Sequence, residues 1–116
     1  MGKLKPLAVA IVALVAGMAN AQSPQADAPT LAQALDRCMA TYAVRLTRTD
    51  AADEAIYASA IEGCRPIETE LRTVVRRDVP PAEAEAALKQ WDDQAKPNFM
   101  ALLKRIRADR AARSGQ

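Results

Sequence analysis

Cys38 and Cys64 are the two most reactive side chains in this 116-residue sequence, which contains no histidine. A pair of thiols can form a structural disulfide, a redox couple or part of a metal site. Two cysteines without histidine make a poor metal site. Redox couples ordinarily use a close-spaced C-x-x-C pair, and these two stand 26 positions apart. A structural Cys38–Cys64 disulfide is therefore the expected use. The missing histidine also removes the commonest general base and the usual activator of nucleophiles. No glycine-rich phosphate loop, serine-nucleophile motif or metal-spaced cluster occurs in the sequence. Asp92-Asp93 is an adjacent carboxylate pair beside Trp91. Neighbours on a helix diverge by about 100°, so these two do not form an acid–base couple and read as a solvated acidic face. The expectation is no catalytic residue, no cofactor, no metal and a non-enzymatic function.

Residues suited to binding are more evident. Trp91, in LKQWDDQ, shares a stripe with Leu88 and Ala95. Tryptophan is favoured at binding hot spots, yet in a chain with four aromatic residues it is also an obvious core filler. The stretch KPNFMALLKRIRADRAARSGQ carries six basic residues and one acidic, a charge of +5, whereas residues 81–95 carry −3. Its apolar stripe of Phe99, Leu102, Leu103 and Ile106 stops where Arg110 and Arg113 reach the same face. Such a basic end suits an acidic protein partner or an anionic lipid surface. Lys104, Arg105, Arg107 and Arg110 are its candidate contacts, with Trp91 beside them. As exposed charges, these four are expected to contribute little to the fold.

These side chains need a scaffold, and the N-terminus indicates where that scaffold works. Lys3 and Lys5, the 13-residue apolar run Leu7–Ala19 and the small residues of Ala19-Asn20-Ala21 have the layout of a secretory signal peptide, cleaved after Ala21. The run is short for a membrane span, which needs about 20 apolar residues. Removing 21 of 116 residues leaves 95, and taking Lys3 and Lys5 from the 16 basic side chains leaves 14 against 14 acidic. That balance is unlike a nucleic-acid binder, so none is expected as a partner. The location expected is periplasmic or secreted, where paired cysteines normally oxidise.

Residues 22–29 read as a flexible leader and residues 30–116 as one helical domain, frayed from about residue 112. Thr30-Leu31-Ala32-Gln33 has the form of a capping box. Leu31, Leu35, Cys38, Met39, Tyr42 and Leu46 then recur at helical spacing. RTDAADE breaks the pattern, with Thr49 or Asp50 as the next cap and Asp53 and Glu54 in the first turn. A second helix follows, its apolar side running from Ile56 through Ile67 to Val75. Val79-Pro80-Pro81 stops it and starts a third, which is expected to be interrupted at Pro97.

In an antiparallel hairpin, facing residues have a constant sum. Cys38 and Cys64 add to 102, which centres the turn on Ala51 and sets Leu35 opposite Ile67, Tyr42 opposite Ala60 and Met39 opposite Gly63. Gly63 would then admit the close approach that a disulfide requires, about 5.5 Å between Cα atoms. Pro66 removes an N–H just beyond, which predicts a kink or restart after Cys64. The fold expected is all-α, a disulfide-closed hairpin with a third, kinked helix packed on it. In general type (exported, helical, about a hundred residues, one disulfide) the chain resembles small periplasmic chaperones of the acid-stress kind and small envelope inhibitor or immunity proteins. That resemblance is one of class and implies a protein partner.

Overall fold

The computed structural model describes residues 26–115. The signal-peptide segment, most of the leader and Gln116 lie outside the described residues. The described residues form four helices and no strand: α1 (Ala28–Leu46), α2 (Asp53–Gly63), α3 (Arg65–Asp78) and α4 (Pro81–Ser114). The fold is all-α.

Helix α1 starts earlier than the capping box suggests. Asp27, not Thr30, is the N-cap, and its carboxylate accepts from the Thr30 N–H at 3.0 Å. Pro29 occupies the first turn, where its missing N–H costs nothing. Two good caps lie three residues apart here, and the one preceding the proline prevails. At the next turn Thr49 works differently from the expected cap. Its hydroxyl donates to the Leu46 carbonyl at 2.6 Å and accepts from the Ala51 N–H at 3.2 Å, so it closes the end of α1. Ala52 precedes α2 without a side-chain cap, and Asp53 and Glu54 fill the first turn as expected.

The single second helix read from the sequence is two helices. Helix α2 ends at Gly63, α3 begins at Arg65, and Cys64 stands between them with φ −103° and ψ 7°. Its N–H donates to the Ala60 carbonyl at 2.9 Å and its carbonyl accepts from the Glu68 N–H at 3.1 Å. Cys64 thus ends one helix and opens the next, the restart that Pro66 forces. Pro97, by contrast, lies within a continuous α4 that runs on to Ser114. There, packing on both sides of the proline outweighs the one hydrogen bond it removes.

Two buried clusters make the core. One contains Leu31, Leu35, Cys64, Leu71 and Val74, with Trp91 packed against it. The other contains Ala43, Ile56, Ala60, Phe99 and Leu103. The first half of α4 serves the first cluster through Trp91, and its second half serves the second through Phe99 and Leu103. Ion pairs on the surface follow the same division: Arg76–Glu85 at 3.2 Å joins α3 to α4, and Lys96–Glu54 at 2.7 Å joins α4 to α2.

Cys38 and Cys64 stand at disulfide distance, 2.09 Å between sulfurs and 6.0 Å between Cα atoms. The partner of Gly63 is not the one the constant sum assigns. A Cβ on Gly63 would meet the ring of Tyr42, not Met39. Side chains on a helix lean toward its N-terminus. The long Tyr42 side chain therefore reaches back about one turn, to the level of Cys38 and the disulfide.

A candidate interaction groove between α1 and α4

The surface that combines shape with chemistry is a hollow of about 380 Å³ between α1 and α4. Leu35 and Met39 of α1, Tyr57 of α2 and Phe99 and Leu102 of α4 give it apolar walls, with Cys64 among its lining residues. Tyr57 packs against Phe99 with ring centroids 5.3 Å apart and planes tilted by 53°. Burial, and then the negative charge of Glu68, pushes the Tyr57 phenol above its ordinary pKa. It stays neutral and able to donate a hydrogen bond.

Trp91, with Leu35 and Asp36, lines both this hollow and a second, of about 330 Å³, which Ala28, Ala32, Leu71 and Leu88 also line. It is half-buried, neither a plain core residue nor a free one. Arg72 of α3 lies over its ring, 4.8 Å from guanidinium to centroid, a cation–π contact. The same guanidinium bonds Asp92 and, at 3.0 Å, Glu68. Asp92, opposed by burial and helped by Glu68, raises the arginine's pKa above its ordinary value. Arg72 thereby fixes Trp91 from one side, and Asp92 belongs to this network while Asp93 pairs with Lys89 at 2.8 Å.

The four basic candidates of α4 separate into different roles. Arg105 lines the groove together with Trp91. Lys104 is exposed and does not line it. Arg107 pairs with Asp53 of α2 at 2.6 Å. Arg110 reaches the end of α1, where it donates to the Val44 carbonyl at 2.7 Å and to the Thr47 hydroxyl. Thr47 in turn donates to the Ala43 carbonyl at 2.7 Å. The last carbonyls of a helix lack intrahelical donors, so Arg110 acts as a cap supplied by another element. Of the four, Arg110 is the one whose contacts tie it to the fold, while Arg107 makes an exposed ion pair, which contributes little. Sequence reading missed Arg72, because a contact 20 residues away has no local signature.

Among the described residues, no three histidine, cysteine, aspartate or glutamate side chains gather as metal ligands. None of the described helices is long and apolar enough to cross a membrane. No protein-family model matches this chain, and neither does a curated protein or a solved structure.

Proposed function

We propose that this chain is a small exported, non-enzymatic protein-interaction module of the chaperone-like, inhibitor or immunity type, which receives an apolar side chain of its partner in the groove between α1 and α4. The observation that carries this reading is the placement of Trp91. It is half-buried, gripped by Arg72 and flanked by apolar hollows on both sides. A tryptophan fixed in this way offers area at little entropic cost, the property that makes aromatic residues binding anchors. The hollow, at about 380 Å³, falls in the range of ordinary ligand pockets, and that volume holds one large side chain with room to spare. Export is supported by the signal-peptide layout of residues 1–21 and by the paired cysteines. In this reading α1 and the α2–α3 arm form an antiparallel hairpin, with α4 as the lid that shapes the groove. A membrane-surface role for the C-terminal stripe is less favoured, because Phe99 and Leu103 are only 5% and 0% exposed.

The test is site-specific photo-crosslinking in cells that produce the tagged full chain. A crosslinker at Asn98, on the groove, should yield one dominant protein adduct, lost in a Trp91→Ala background that retains its helical circular dichroism. A crosslinker at exposed Glu83, outside the groove, should not. Equal adducts from both positions, or none from Asn98, would remove the groove from consideration.

A further inference from the structure

The solvent face of α1 carries a feature that the groove does not use. Arg37, Thr41 and Val44 follow one another at steps of three or four residues, Arg48 extends the line into the turn after α1, and Ala40 and Arg45 stand on the flanks. Ala40, Thr41, Val44, Arg45 and Arg48 line a shallow depression of about 420 Å³. Val44, 43% exposed, is the one large hydrophobic side chain exposed among the described residues.

The arginines on this face differ from most others in the fold. Arg65, Arg72, Arg76, Arg77 and Arg107 each have a carboxylate within ion-pair distance. Among the described residues, Arg37, Arg45 and Arg48 have no such ion pair. Arg45 instead lies over the Tyr42 ring at 5.7 Å. Residues 22–116 carry 14 basic and 14 acidic side chains. In a balanced chain, three guanidinium groups without a carboxylate at ion-pair distance, two on α1 and one in the turn that follows it, make a local excess of positive charge.

We propose that this face of α1 is a second docking surface, and that its partner is an acidic amphipathic helix. Charge complementarity calls for carboxylates, and Val44 between the arginines calls for an apolar residue between those carboxylates. Arg37 and Arg45 are eight residues apart, about 12 Å along the axis at 1.5 Å per residue. The matching helix carries carboxylates about two turns apart on either side of a leucine or valine. Nucleic acid fits less well, since the balanced chain supplies no overall positive field. A lipid surface fits less well too, since one exposed valine buries little apolar area in a membrane. The inference stands apart from the groove, and Trp91 plays no part in it.

The probe is a fluorescein-labelled 20-residue helical peptide with glutamates seven and eight residues apart flanking leucine, measured by anisotropy against the full chain lacking residues 1–21. A scrambled peptide of the same composition, a 20-mer oligodeoxythymidine and phosphatidylglycerol vesicles form the other arms. The designed peptide should bind most tightly, with affinity falling as salt rises. Replacing Arg37, Arg45 and Arg48 together by glutamine should weaken it at least tenfold, and Val44→Asp should do the same. Replacing Arg65, Arg76 and Lys89 by glutamine removes the same charge elsewhere and should change affinity less than twofold. Unchanged circular dichroism in each variant keeps folding out of the comparison. Equal losses from the two triple variants would reduce the effect to net charge and overturn the proposal. So would tighter binding of the oligonucleotide, the vesicles or the scrambled peptide, or no peptide binding at all.

Discussion

A Cβ atom on Gly63 would overlap the Tyr42 hydroxyl oxygen and the ring carbon that bears it. The missing side chain is therefore the seat of the tyrosine ring. Gly63→Ala should force that ring to swing away and lower stability by about 1 kcal/mol, and Gly63→Leu should cost about 1–3 kcal/mol. Tyr42→Ser should relieve most of this penalty, so the two changes should be non-additive in urea denaturation. Additive losses would show that the ring already moves freely.

The disulfide should contribute about 3.5 kcal/mol in the chain-entropy model for a loop of this length. Cys38→Ser with Cys64→Ser should lower the urea midpoint accordingly and leave the far-ultraviolet spectrum of the folded state unchanged. A domain of this size has about 5–15 kcal/mol in total, so the loss should be plain in the melting temperature.

Arg110→Gln should cost about 1–2 kcal/mol, because it takes a charged donor from a helix-end carbonyl and a buried hydroxyl. Lys104→Gln, Arg105→Gln and Arg107→Gln should each stay within about 0.5 kcal/mol, since exposed charges contribute little even when paired. Thermal melts of the four single variants separate the cap from its neighbours.

The pH dependence of α1 follows from Asp27. Thr30, through its side chain and then its backbone N–H, holds the Asp27 carboxyl below its ordinary pKa of 3.8. A carboxyl depressed by folding stabilises the fold above its unfolded pKa, and that contribution disappears as pH falls through the lower, folded value. The first turn of α1 should therefore loosen only in strong acid. Asp27→Asn keeps a capping oxygen without the titration. Its melting temperature should fall less than that of the parent chain as pH drops below about 3.8. Identical acid profiles would assign the loss to other carboxyls.

The parts legible from sequence were those written in local periodicity. Leu31 and Leu35 of α1, and Ile56, Leu71 and Val74 of the following arm, are buried as their spacing implies, and the cysteine pair meets. What was not legible depended on reach or on competition. Tyr42 finds Gly63 because its side chain leans along the helix, which a register counted on Cα positions ignores. Ala43 and Ala84, each at most 1% exposed, are as buried as any leucine, but alanine carries no strong periodic signal in an alanine-rich chain. Pro97 has the same chemistry as Pro66, and only the packing of α4 on both core clusters distinguishes them. At the groove, Trp91 and Arg105 were visible as residue types. Arg72, which orients the tryptophan, was not, because nothing local in RTVVRR singles it out.

The position of the disulfide along the chain also orders folding events. Its cysteines are 26 residues apart and both precede α4, so the covalent loop can close before α4 docks. The seat of α4 depends on much longer-range pairings, with Arg110 meeting Thr47 and Val44 across 63 and 66 residues. Contacts at short separation form sooner than those that must first close a long loop. The species expected before completion is thus an oxidised α1–α3 unit with Ala43, Ile56 and Ala60 uncovered, waiting for Phe99 and Leu103. A protease that meets the protein at that stage finds α4 unprotected, whereas a single cut between the cysteines leaves both pieces joined by the disulfide.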